Sequence, residues 1–224
     1  MKIVSLIGSP HRAKGNTARL AKLVAEGAEA EQAQVETLFI PPKKVNPCIA
    51  CDNCHKTGQC QQKDDFEMIK KKILDADGLI LGSPNYIFSV SAQLKAFLDR
   101  CCGVIHCMGF EGRYGASVVT SGGGDEEGIA LYMNHFMITT GITPVGSVWA
   151  TMGLLPDGEF TEDIKTQARE LGKTLVVSWK NKAVLPEVEE VKDAFKERMQ
   201  YLMQYRKDEW PYEYEFWQKH RGLP

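Results

Sequence analysis

"MKIVSLIGSPHRAKGNTARLAKLVAEGAEAE", residues 1–31, reads as a strand, a loop and a helix in succession. Ile3 to Ile7 form a short apolar, β-branched run that stops at Gly8-Ser9-Pro10, the pattern of a strand covered on both faces. After the loop, Leu20, Leu23, Val24 and Ala28 recur at helical spacing. The unit then repeats. Val35 to Ile40 reads as a second strand, and "DDFEMIKKKILDAD" (64–77) as a helix with Phe66, Ile69, Ile73 and Leu74 on one side. "GLILGSP" (78–84) and "SAQLKAFLDRCC" (91–102) are a third strand and helix, and "YGASVVTSGGG" (114–124) is a fourth strand with a glycine-rich exit. A helix over 127–140, a strand over 142–150 and a helix over 161–180 complete the series. Strands alternating with helices imply an α/β fold with a parallel sheet covered on both faces, because each parallel crossover needs a helix. Such sheets bind ligands outside the carboxyl ends of their strands, so the loops after strands one, three and four are the ones to read.

The chain has 224 residues, 43% hydrophobic and 25% charged, enough for one substantial core with an extension. A formal net charge of -2 gives no basic stripe for nucleic acid. No apolar run approaches the roughly 18 residues of a membrane span, and the apolar start is too short for a signal peptide. A soluble, cytoplasmic protein is expected. Seven cysteines, an odd number, favour free or liganding thiols over a disulfide framework.

The first loop, "GSPHRAKGNT" (8–17), offers Ser9, Asn16, Thr17 and the free amides of a helix start, all suited to a phosphate. It matches neither the triphosphate nor the dinucleotide fingerprint, and a plain helix cap is the alternative. The third-strand loop presents Pro84, Asn85, Tyr86, Ile87 and Phe88, and the fourth lets backbone approach a ligand at Gly122, Gly123 and Gly124. Together they suit a mononucleotide with a planar ring.

"IGSPHRAKGNTARL", "GSPNYIFSVSAQLKAFLDR" and "TSGGG", in this order, resemble the NADPH-dependent FMN reductase branch of the flavodoxin-like proteins, over roughly residues 1–180. With the cysteine segment the chain most resembles the iron-sulfur flavoproteins of that branch. The resemblance implies a doubly wound five-stranded sheet of order 2-1-3-4-5, with FMN phosphate contacts at Ser9, His11, Arg12, Asn16 and Thr17. Ring contacts fall on Pro84, Asn85, Tyr86 and Ile87, and Ser121, Gly122 and Gly123 close the site. The family usually has glycine where this chain has Phe88. NAD(P)H or a ferredoxin is implied as electron donor, and a homodimer or homotetramer as the assembly.

Cys48, Cys51, Cys54 and Cys60, within the loop 47–62, read C-x2-C-x2-C-x5-C. Structural zinc sites generally draw on two separated pairs, whereas this run wraps one compact object, as a 4Fe-4S cluster requires. Zinc, or an empty reduced loop, are the alternatives. The iron-sulfur flavoproteins use a motif of this kind, which implies a two-electron flavin feeding a one-electron cluster. The rival functions are a zinc-bearing or cluster-free NAD(P)H:FMN or quinone reductase, and a non-enzymatic carrier fed by ferredoxin. His55 reads as a solvated polar residue, His135 as a hydrogen-bonded core histidine, and Cys101, Cys102 and Cys107 as inert thiols at a helix end.

Residues 1–182 read as the FMN-binding domain and 183–224 as a helical, aromatic arm. Val188, Val191, Phe195, Met199, Leu202 and Tyr205 predict a helix over 187–206 with one apolar stripe. Trp210, Tyr212, Tyr214, Phe216 and Trp217 follow, and such aromatics favour packing on a neighbouring subunit, with an arm folded back on its own domain as the alternative.

Overall fold

In the computed structural model, which describes residues 1–41 and 43–223, the alternating pattern folds as one parallel sheet. Its strands are β1 (Lys2–Ile7), β2 (Gln34–Phe39), β3 (Gly78–Pro84), β4 (Tyr114–Ser121) and β5 (Thr143–Thr151), in the order β2-β1-β3-β4-β5. All of β3 is buried, as its continuous apolar run requires of a central strand, whereas edge strand β2 is half-exposed.

Helices α1 (Asn16–Ala30) and α7 (Glu162–Lys180) cover one face. Their core joins Leu20, Val24 and Ala28 to Ile3, Ile80, Leu175 and Val176. The other face is covered by α3 (Phe66–Leu74), α4 (Ala92–Arg100) and α6 (Glu126–Thr139), which bury Phe66, Phe97, Met133 and Met137 against Leu6, Leu81 and Val119. Leu74, expected on the apolar side of its helix, is 40% exposed at the helix end. Of two short helices, α2 (Asn53–Thr57) lies within the cysteine loop and α5 (Cys102–Cys107) follows α4.

The arm forms α8 (Pro186–Tyr205) and α9 (Pro211–Arg221). The inward face of α8 differs from the expected stripe. Lys192, Met199 and Met203 are buried, while Val191 and Tyr205 face solvent. Lys192 Nζ reaches Thr143 Oγ1 at 2.6 Å and Glu189 Oε1 at 2.9 Å, so a lysine outside the expected stripe can be buried because its head finds partners. The aromatic segment turns back on its own chain, with α9 packed on α2, α5 and α8. Trp217 is buried with Met199, Met203 and Leu223.

Helices α1 and α7 touch backbone to backbone. A Cβ at Gly172 would lie 1.9 Å from the Val24 carbonyl oxygen, and one at Gly27 would lie 2.0 Å from that of Arg169. Gly172→Ala is therefore expected to destabilise the fold by roughly 1–3 kcal/mol as overpacking. Gly128→Ala, on α6 with nothing within 4 Å, is expected to be neutral or stabilising. Urea denaturation midpoints of the two variants check both outcomes.

Candidate functional site

The carboxyl ends of β1, β3 and β4 open into one cavity. Its first wall is Ser9, His11, Gly15, Asn16 and Thr17, and its second is Pro84, Asn85 and Tyr86. Thr120, Ser121, Gly122 and Met152 close it. Helix α1 starts at this cavity with Gly15 as its cap residue and no capping side chain. Its first-turn N–H groups are thus left for an anion rather than used by the chain. The loop is wound tightly here, since a Cβ at Gly15 would come within 2.9 Å of Ser9 Oγ and 3.0 Å of His11 Cβ. The buried hydroxyls of Thr17 and Thr120 meet at 2.7 Å and tie α1 to β4.

Asn85 is fixed by its backbone, with N–H donating to Thr120 O at 2.7 Å, and by its side chain, with Nδ2 donating to Gly124 O at 2.9 Å. Its Oδ1 is buried and has no partner, an acceptor held open on the cavity wall. Ser121 is differently employed. Its hydroxyl donates to Glu126 Oε1 and accepts from Gly124 N at 2.8 Å, and Thr151 Oγ1 also donates to Glu126. Burial would raise the Glu126 carboxyl, but these hydroxyls outweigh it and hold it below the usual range.

Nine of the residues expected to bind FMN therefore line the cavity, while Arg12, Ile87 and Gly123 lie outside its walls. Gly15, Thr120 and Met152 join them unforeseen, Met152 because a short 3-10 turn after β5 returns to the same edge, where Gly153 N–H donates to Gly122 O. Ile87 and Phe88 form a tight turn in which Tyr86 N–H donates to Ser89 O at 2.9 Å and Ser89 N–H to Tyr86 O at 3.3 Å. Both have left-handed backbones (φ 49° and 60°) and are exposed. A glycine at Phe88 would adopt that conformation without strain.

The cysteine loop leaves β2 and is stapled at its base. Arg100, buried at the end of α4, donates to Asp64 Oδ2 at 2.5 Å, Asn46 O at 3.3 Å and Cys60 Sγ at 3.2 Å, and stacks 4.5 Å over the Phe66 ring. Burial would raise the Asp64 carboxyl, but the bonds from Arg100 and from the Asn46 and Phe66 N–H groups hold it below its ordinary value. Cys48 and Cys51 are exposed, and Cys54 and Cys60 are half-buried. All seven thiols are free. Ala50 N–H donates to Cys48 Sγ at 3.4 Å, and Ala50, Asp52 and Gly58 adopt left-handed conformations that curl the loop. Four unpaired thiols on one curled loop, two of them already receiving N–H donors, fit the demands of a cluster.

Beside the loop, the structure corrects three expectations. His55 is buried, and its Nδ1 donates to Glu213 Oε1 at 2.6 Å. His106 Nδ1 donates to the other oxygen of that carboxylate at 2.9 Å. Cys102 is no inert thiol. Burial would push it up, but hydrogen bonds from His106 and His55 bring it down to about 6. Burial would likewise lower both histidines, yet contacts with Cys102 and Glu213 raise His106 to about 9, and the same partners together with Cys54 raise His55. Cys101 and Cys107 are buried, and burial pushes both thiols up, as inert thiols should behave. His135 is exposed on α6, because the buried positions of that helix are taken by Met133, Phe136 and Met137.

The sheet order, with a cavity at the ends of β1, β3 and β4 and a helix N-terminus facing it, defines a flavodoxin-like mononucleotide-binding protein. The model of the NADPH-dependent FMN reductase family matches residues 1–154. An iron-sulfur flavoprotein of Archaeoglobus fulgidus is 33% identical over 224 residues, 100% of each chain. Another, of Methanocaldococcus jannaschii, is 35% identical over 183 residues, 77% of this chain and 94% of that one. The solved apo structure of an NADH:FMN oxidoreductase shares the fold, with TM-score 0.60 and 20% identity over 84% of this chain and 92% of that one. The chain belongs to the NADPH-dependent FMN reductase family, in its iron-sulfur flavoprotein branch.

Replacing Arg100 with Met leaves Asp64 as an uncompensated, largely buried carboxylate. The expected loss is roughly 3–5 kcal/mol, as for other broken buried pairs. Thermal unfolding, read with protease sensitivity of the loop 47–62, tests it.

Proposed function

We propose that this protein is an FMN-dependent oxidoreductase that couples two-electron flavin chemistry to one-electron transfer through a 4Fe-4S cluster. The observation that carries the reading is the cavity where the uncapped start of α1 and the open acceptor Asn85 Oδ1 share one wall system. When bound, FMN supplies a hydride acceptor that releases electrons singly, and the cluster supplies a one-electron carrier.

The chain's residues bind and orient. Ser9, His11, Asn16 and Thr17 and the first-turn amides of α1 hold the phosphate, with Arg12 adding charge from outside. Pro84, Asn85 and Tyr86 hold the ring, Asn85 Oδ1 accepts from it, and Ile87 approaches it from outside the wall. Ser121, Gly122 and Gly123 close the site through backbone, since the Ser121 hydroxyl is committed to Glu126. Cys48, Cys51, Cys54 and Cys60 hold the cluster. No side chain acts as acid or base.

Helix α4 separates the two groups. Its cap Ser91 donates to Gly8 O beside the cavity, and its last residue Arg100 grips the cysteine loop. Nine residues at 1.5 Å each give a strut of about 14 Å. Electrons arrive from NAD(P)H or reduced ferredoxin and leave to a redox partner. The seven free thiols accord with a cytoplasmic setting. We further infer a homodimer or homotetramer, joined partly through exposed Tyr201 and Tyr205 of α8.

Anaerobically prepared protein is expected to carry about one FMN and about four iron and four sulfide per chain. Asn16→Asp, placing a carboxylate beside the phosphate, is expected to weaken FMN binding roughly 10- to 100-fold. Cys51→Ser is expected to lose the iron and keep the FMN. Flavin fluorescence titration and iron analysis read these outcomes, and flavin-free protein that takes up no added FMN would overturn the reading.

A further inference from the structure

Outside the flavin cavity and the four loop thiols, one group of side chains stands out among the described residues. One Nε2 or Nδ1 atom of His55, one of His106 and Cys102 Sγ all lie within 4.8 Å of one another. They come from α2 and α5, and they converge because of a third element. Glu213 of α9, wholly buried, takes His55 Nδ1–H on one oxygen at 2.6 Å and His106 Nδ1–H on the other at 2.9 Å. With both Nδ1 atoms engaged as donors, each ring has its Nε2 left to bind something else.

That something is shared. His106 Nε2 lies 3.8 Å from Cys102 Sγ. The imidazoles are also held face to face, with centroids 5.0 Å apart, and the Trp210 indole stacks on them at 4.5 and 4.9 Å. Trp217 Nε1 donates to His106 O at 2.9 Å, so the arm fixes the backbone of α5 as well as its side chain. Neither ring can turn without breaking a bond to a buried carboxylate.

This is the arrangement by which proteins prepare imidazoles for a metal. Ligating histidines donate their second ring N–H to a carboxylate, which fixes the tautomer and raises basicity. Here one carboxylate does so twice. Bonds of about 2.3 Å to sulfur and about 2.0 Å to nitrogen give a tetrahedral S···N edge of about 3.5 Å, close to the gap that Cys102 and His106 already hold.

We propose that His55, His106 and Cys102 form a zinc site, separate from the cysteine-loop cluster, with Glu213 as the orienting carboxylate. Donors of two nitrogens and one sulfur select zinc over magnesium or calcium, which take oxygen. The fourth position faces Asp52, whose Oδ1 is 3.8 Å from His55 Nε2. The site uses none of Cys48, Cys51, Cys54 and Cys60, so it stands whether or not those hold iron. Because His55 follows Cys54 directly, the metal would also anchor α2 to α5 and α9 behind the cysteine loop.

The test is made on the full-length protein as purified anaerobically, dialysed against zinc-buffered solution and then analysed for metals. About one zinc per chain is expected beside the iron, with a zinc absorption-edge spectrum showing one sulfur at about 2.3 Å and nitrogens at about 2.0 Å. Cys102→Ala should abolish the zinc and leave FMN and iron in place, whereas Cys107→Ala should leave all three. Glu213→Gln should weaken zinc roughly 10- to 100-fold. Three results would each overturn the proposal: wild-type protein that retains no zinc, zinc with a four-sulfur shell, or zinc that survives Cys102→Ala. The wild-type spectrum decides alone should the variants fail to fold.

Discussion

The guanidinium of Arg100 is the contact on which the arrangement of both sites depends. It bonds Asp64, Asn46 O, Gln62 O and Cys60 Sγ, and so closes the base of a loop that has little apolar content of its own. The loop cannot bury enough surface to order itself, and a buried arginine with a paired carboxylate supplies the missing anchor. The same residue ends α4, whose other end is fastened by Ser91 to Gly8 and by contact of Leu94 with that glycine. One rigid element therefore links the position of the loop after β1 to the position of the thiols.

Much of this was legible in the sequence, and the physics explains which parts. Strands announced themselves as short continuous apolar runs and helices through a period of 3.6, signals that depend only on near neighbours, and β3 and the arm helix α8 fall within a residue or so of expectation. The cavity loops were legible because sheet order fixes which loops meet. Phe88, flagged by the glycine usual at its place, proves to hold a backbone angle that glycine favours. What stayed hidden was long-range and polar. Nothing near His55 in the chain hints that its partner lies 158 positions away, nor near His106 that its partner lies 107 away. Burial of a histidine is decided by what covers it, and the cover here is Trp210.

The arm illustrates why an aromatic cluster is ambiguous when read alone. Five aromatics in a short stretch must find cover, and sequence cannot say whose. A carboxylate among them narrows the choice, because a buried Glu213 needs partners that the chain itself provides in two histidines. Lys192 on α8 tells the same story against Thr143 and Glu189.

The distance along the chain between His55 and Glu213 also sets a clock. At synthesis rates of about 5–20 residues per second, the carboxylate emerges roughly 8–30 s after the histidine it will bind. Through that interval the cysteine loop has its Arg100 staple for the later part but no arm behind it, so α2 and α5 lie open while the nascent protein is still being made. Delivery of any inorganic group to that end of the molecule has its freest access then, and α9, translated after α2 and α5, is the helix that shuts it in.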